Sequence, residues 1–190
     1  VASCKEANGK GVLVVMNDEI HSARYVTKTH TTNVATFRTP TLGPIGLVTK
    51  HRILFMQELL ETTRLDITSV NGTIPIVKAY AGMQGDLLEA IAHTKVDGLV
   101  IEALGAGNLP PQAVTALKKL LVQKIPVVLV SRCFNGIAEP VYDYEGGGKE
   151  LANMGIIFCN SINSQKARIK LLIALNHGLK DQSLISFITQ

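Results

Sequence analysis

The stretch from Asp97 to Val130 runs Asp97-Gly98-Leu99-Val100-Ile101-Glu102, then Gly105-Ala106-Gly107-Asn108, then a series entered through Pro110-Pro111, and closes on Pro126-Val127-Val128-Leu129-Val130. The two apolar runs at its ends are short and lack polar alternation, the pattern of strands buried on both faces. Between them Ala113, Val114, Leu117, Leu120 and Leu121 recur at helical spacing, behind prolines whose fixed φ suits a first helical turn. Strand, helix and strand at this pace predict a βαβ unit, and hence a parallel sheet covered by helices.

The same texture extends outward. Ile74 to Tyr80 reads as a strand, Gly82 to Gly85 as a turn, and Leu87 to His93 as a helix. Asp86 stands where an N-cap belongs, with Glu89 in the capping-box position. Downstream of Val130 a loop of roughly two dozen residues is expected, longer than an ordinary connection. Ser164 to Asn176 then predicts a helix closed by Gly178, and Asp181 opens a short final one. Upstream, Gly11-Val12-Leu13-Val14-Val15-Met16 reads as another strand buried on both faces, and Val1 to Lys10 as a helix end closed by Asn8-Gly9. From Asn17 to about Thr73 the turn formers Asn17-Asp18, Pro40, Gly43-Pro44, Gly46 and Asn71-Gly72 leave room only for short strands and loops. The change of texture puts a domain boundary near residues 65–73.

Composition narrows the class. The 190 residues are 46% hydrophobic, 18% charged and 5% aromatic, without a low-complexity tract, so wholesale disorder is not expected. The net charge of +4 is dispersed. Its densest groups, Lys118-Lys119 and Lys166/Arg168/Lys170, fall on helix patterns and read as solvated faces, so no nucleic-acid partner is expected. No apolar run approaches the ~20 residues of a membrane span, so no membrane partner is expected either. Cys4, Cys133 and Cys159 are odd in number and far apart, and the five histidines show no ligand spacing. No disulfide framework, metal or other cofactor is expected, and Cys133 and Cys159 read as small core residues.

Ligands of open parallel sheets bind outside the carboxyl ends of the strands. That singles out four loops: 17–33, 79–85, 103–110 and 131–148. The first holds Lys28 among threonines, in Val26-Thr27-Lys28-Thr29-His30-Thr31-Thr32-Asn33. A lysine partly desolvated beside hydroxyls can serve as a base toward one of them; the plain alternative is a surface lysine. The third loop is a G-x-G without a third glycine, too little for a dinucleotide fingerprint. Its Asn108 offers a donor and an acceptor to an amide or carboxylate, or else caps a helix. The fourth carries Glu139, Asp143 and Glu145 before Gly146-Gly147-Gly148, where a carboxylate could meet a substrate ammonium or simply be solvated.

Two groups of segments carry a resemblance. Val12 to Asp18, then Val26-Thr27-Lys28-Thr29-His30-Thr31-Thr32-Asn33-Val34-Ala35-Thr36-Phe37 and Gly43-Pro44-Ile45-Gly46, resemble the strand and active-site segment of bacterial-type L-asparaginases. Asp97 to Ile101, Gly105 to Pro110, Val130-Ser131-Arg132 and Asn163-Ser164-Gln165-Lys166-Ala167-Arg168 resemble that family's carboxy-terminal domain. The resemblance implies a remnant of the amino-terminal α/β domain plus linker over residues 1–66, and the carboxy-terminal domain, a parallel sheet flanked by helices, over 67–190. It implies an amidohydrolase that converts L-asparagine to L-aspartate and ammonia, sometimes accepting L-glutamine, in a homodimer or tetramer.

By the same resemblance Lys28 is the lysine of a threonine–lysine–aspartate group, Asn108 reaches a neighbouring subunit's site, and the accompanying glutamate is Glu145 or, second, Glu139. The family's glycine-rich Thr-Gly-Gly-Thr-Ile type motif and its Thr-Asp-Thr segment have no counterpart among these residues, which predicts a truncated chain inactive by itself. Two other functions stand beside that reading: a non-catalytic module that assembles, and an amidase subunit acting on misacylated tRNA.

Overall fold

The structure is a computed structural model that describes residues 1–60 and 63–190. It contains two units, Val1–Thr62 and Thr63–Gln190.

The second unit is the α/β part. Its sheet has four parallel strands: β7 (Ile76–Lys78), β8 (Leu99–Ala103), β9 (Val127–Ser131) and β10 (Ile157–Phe158), in the order β10-β9-β8-β7. Helices α1 (Asp86–Ala92), α2 (Pro111–Val122) and α3 (Gly148–Asn153) make the crossovers, and α4 (Ser164–His177) and α5 (Asp181–Thr189) follow the last strand. Because each strand adds on the same side of its predecessor, crossovers of one hand put α1, α2 and α3 on one face. Leu99, Ile101, Val127 and Leu129 point into that face against Leu88, Leu117 and Leu151. Val100, Val128, Val130 and Ile157 point the other way, against Ala167, Leu171, Leu184 and Ile188 of α4 and α5. A strand with both faces covered cannot alternate with polar residues, which is why 99–101 and 127–130 read as unbroken apolar runs.

Several boundaries differ from expectation. Gly85, not Asp86, occupies the N-cap of α1. Asp86 is the first helical residue, and Glu89 pairs with Lys119 at 2.7 Å instead of reaching back to the cap. The long loop after β9 ends at Gly147, because residues 148–158 form α3 and β10. Both are too short to give a periodic pattern. Gly178 closes α4 in the left-handed region, as predicted. The Lys166/Arg168/Lys170 face is not simply solvated. Arg168 Nε donates to the Ile74 carbonyl at 2.8 Å, and Lys170 Nζ donates to the Ile188 carbonyl at 2.9 Å while lying over the Phe187 ring. Burial of the Lys166 amine lowers its pKa from 10.5 to about 8. Cys159 is buried, whereas Cys133 is exposed and is not a core residue.

The first unit is built from antiparallel strands. β1 (Leu13–Met16), β2 (Glu19–Ser22), β5 (Gly46–Val48) and β6 (Ile53–Phe55) form one sheet in the order β1-β2-β5-β6, and β3 (Thr27–Lys28) pairs with β4 (Phe37–Arg38) as a separate ribbon. The expected doubly buried strand at 11–16 is corrected to an edge strand, with Val15 and Met16 exposed. The cause is local: Asn17 and Asp18 both adopt positive φ, so the turn returns the chain antiparallel with Met16 opposite Glu19. The expected helix end at 1–10 is a single 3₁₀ turn, Lys5–Ala7.

Candidate active-site elements

Three of the four loops singled out in the sequence meet at the carboxyl edge of the parallel sheet. The loop after β9 is tied to the one after β8 at successive points. Arg132 N donates to the Ala103 carbonyl, Ser131 Oγ donates to the Gly105 carbonyl at 2.6 Å, and Glu139 N donates to the Ala106 carbonyl at 2.8 Å. Arg132 Nη1 reaches the Ala79 carbonyl after β7 at 3.2 Å. Backbone amides and the side chains of Ser131 and Arg132 thus hold these loops in place through main-chain carbonyls. Gly107 has φ +120°, and a Cβ there would lie 2.6 Å from Phe158 Cε1, so glycine lets this loop sit directly on the ring.

Asn108 does not cap the helix that follows it, since Pro110 holds that position. Its Oδ1 instead accepts from Gly148 N at 3.1 Å, at the first residue of α3, whose own N-cap Gly147 has no side chain to offer. Gly146 N donates to Glu150 Oε2 at 2.7 Å, and Leu109 N donates to the Gly146 carbonyl at 2.9 Å. The turn at 145–147 is therefore gripped from both sides, and Gly146, with φ +80°, passes where a Cβ would strike the Leu109 carbonyl oxygen. Glu145 and Glu139 are both exposed on this rim, as are Tyr142 and Tyr144, whose ring centroids are 5.8 Å apart. Asn108 Nδ2 makes no hydrogen bond among the described residues and keeps two N–H donors.

Lys28 belongs to the first unit. It lies on β3 opposite Phe37, with its side chain exposed. The loop it leads into is closed by its own polar groups. His30 Nδ1 accepts from Thr32 N and Asn33 N, each at 3.1 Å, and Thr36 Oγ1 donates to the His30 carbonyl while accepting from His30 N. Thr29 N and Oγ1 both donate to the Thr36 carbonyl. The threonines thus serve partly to fold the loop. The expectation that residues 17–33 follow a parallel strand is corrected, because β1 runs straight into a hairpin.

One polar cluster went unread in the sequence. Ser164, 1% exposed, donates from Oγ to Glu102 Oε1 at 2.5 Å, and Glu102 Oε2 lies 3.1 Å from Lys78 Nζ. It sets a carboxylate at the amino end of α4, where the helix dipole favours one. Glu102 in an otherwise apolar strand was the available signal. Among the described residues no group of His, Cys, Asp and Glu could hold a metal ion, and no helix is long and apolar enough to cross a membrane.

An open parallel sheet whose connecting loops are tied together at its carboxyl edge, preceded by an antiparallel unit with a lysine on a threonine-rich hairpin, defines a two-part α/β protein. Comparison with known proteins makes the class specific. A model for the glutaminase/asparaginase C-terminal domain matches residues 73–186, and one for the asparaginase N-terminal domain matches residues 1–61. The chain belongs to the asparaginase family. A probable L-asparaginase of Deinococcus radiodurans is 38% identical over 100% of this chain and 59% of its own length. An L-asparaginase of Bacillus licheniformis is 30% identical over 95% of this chain and 57% of its own. A glutamyl-tRNA(Gln) amidotransferase component of Methanobrevibacter smithii is 30% identical over 80% of this chain and 36% of its own. The chain thus spans less than two thirds of the length of these relatives.

Proposed function

We propose that the parent activity of this chain is that of an L-asparaginase, hydrolysing L-asparagine to L-aspartate and ammonia, with some action on L-glutamine. One observation carries the reading: relatives that align with nearly all of the chain bear the name L-asparaginase. In that reaction a threonine hydroxyl attacks the side-chain amide carbonyl and ammonia leaves. Water then releases aspartate from the acyl-enzyme. Lys28 acts as the base that takes up the hydroxyl proton. Asn108, through its Nδ2 donors, and Glu145, or else Glu139, serve the substrate's charged groups in a neighbouring copy, which makes the working form a homo-oligomer.

These 190 residues hold no counterpart of the glycine–threonine motif or of Thr-Asp-Thr. By themselves they are therefore inactive, because loss of a nucleophile costs orders of magnitude in rate. The test is ammonia release from asparagine by the purified 190-residue chain, read beside its mass in light scattering. Turnover at rates typical of enzymes would overturn the assignment of the nucleophile. A strictly monomeric species would overturn the assembly. The amidotransferase relative motivates a second reading, an amidase acting on misacylated tRNA. It requires salt-dependent tRNA binding, which a dispersed charge of +4 does not favour.

A further inference from the structure

We infer that His21 is a positioning residue for Lys28, fastening the ribbon that carries the lysine to the sheet beside it; the inference rests on the role given to Lys28 above. The β3–β4 ribbon is two residues long on each strand and is not hydrogen-bonded into the four-stranded sheet. A ladder that short does not fix its own orientation. On one side it is tethered by the chain itself, through Tyr25 N and Val26 N donating to the Ser22 carbonyl. On the other side β2 grips two consecutive residues. Glu19 pairs with Arg38 Nη1, at 3.1 and 3.0 Å from its two carboxylate oxygens. His21 meets Thr39 Oγ1 through Nδ1 at 2.9 Å.

These two ties are unequal. Arg38 is 44% exposed, so water weakens its ion pair. His21 and Thr39 are 1% and 7% exposed. The ring is also oriented from behind, by Glu19 Oε2 at 3.2 Å from Nε2. A carboxylate only accepts, so Nε2 carries a proton toward Glu19, and Nδ1 shares a hydrogen bond with the Thr39 hydroxyl. Arg38 sits opposite Thr27 and Phe37 opposite Lys28, so a tie at Thr39 transmits directly to the lysine. A base misplaced by ~1 Å loses much of its effect, which gives the tie a functional consequence.

The test compares wild type with Thr39→Val, which removes the hydroxyl at nearly constant volume, and with His21→Ala and His21→Asn, whose Oδ1 can take over the Nδ1 bond. On the 190-residue chain, Thr39→Val and His21→Ala should speed hydrogen exchange of the Thr29 and His30 amides about tenfold, the scale of one lost buried hydrogen bond. The carbon-13 resonance of dimethylated Lys28 should move, the amides of β2, β5 and β6 should keep their protection, and His21→Asn should restore the exchange rates and the resonance. In an active assembly containing the chain, the same variants should lower kcat about tenfold with KM nearly constant. Unchanged exchange and an unmoved Lys28 resonance in folded Thr39→Val would overturn the inference. So would a loss of protection spread evenly over the whole unit. If no assembly hydrolyses asparagine, the functional reading fails, while the exchange and resonance measurements still decide the role of His21.

Discussion

Replacing Asn108 by alanine separates its structural use from its use toward a ligand. The substitution removes the acceptor of Gly148 N, and Gly148 is buried. No side chain of Gly147 can replace that acceptor. A lost N-terminal cap costs about 0.5–2 kcal/mol, and a buried N–H left unpaired lies toward the upper end of that range, so about 1.5 kcal/mol is expected. For a unit of this size that lowers the melting temperature by about 5 °C. Asn108→Asp keeps an acceptor in place and adds a negative charge at a helix amino end, so its melting temperature should stay close to wild type. It gives up the two Nδ2 donors. In a catalytic assembly Asn108→Asp should therefore lose activity without losing stability. Calorimetry on both variants, with exchange of the Gly148 amide, checks the partition. If Asn108→Ala melts within about 1 °C of wild type and Gly148 remains protected, the tie does not hold α3 in the way assigned to it.

Gly107→Ala should destabilise by about 2–4 kcal/mol in urea titrations, because its Cβ meets Phe158 at 2.6 Å on a backbone with φ +120°. Burial lowers the folded pKa of Lys166 from 10.5 to about 8. Between those values the folded chain holds fewer protons than the unfolded one, so its stability rises with pH across the window and the penalty is fully present below pH 8. Lys166→Met should accordingly stabilise the protein at pH 7, and the gain should shrink toward pH 10 in chemical denaturation. Ser164→Ala should cost about 1–2 kcal/mol by removing the hydroxyl bonded to Glu102, and a double-mutant cycle with Glu102→Gln should reveal coupling.

Legibility followed the physics of each element. Strands β8 and β9 and helix α2 could be read directly, because burial on both faces of a strand, or on one stripe of a helix, leaves its period in the residues themselves, whereas α4 was marked by its Gly178 stop. Helix α3 and strand β10 could not, since six residues and two residues respectively are too few to show a period. The run at 11–16 was apolar enough to suggest a central strand. Its depth depended instead on which way the Asn17-Asp18 turn sent the chain, and both residues adopt positive φ. Lys166, Arg168 and Lys170 were charged residues on a helix pattern. Whether such a side chain ends in water or on a neighbouring carbonyl depends on what lies beside the helix.

What the sequence alone determined is the βαβ rhythm from Ile74 onward and the family to which the chain belongs. Both are written in local periods and in contiguous motifs such as that around Lys28. What only the tertiary structure decided is which distant groups meet. Asn108 reaches Gly148 across the sheet edge, Ser164 closes on Glu102, and His21 finds Thr39. Each pairing is wholly or partly buried, and the partner is chosen by how the backbone folds rather than by how far apart the two lie in the chain.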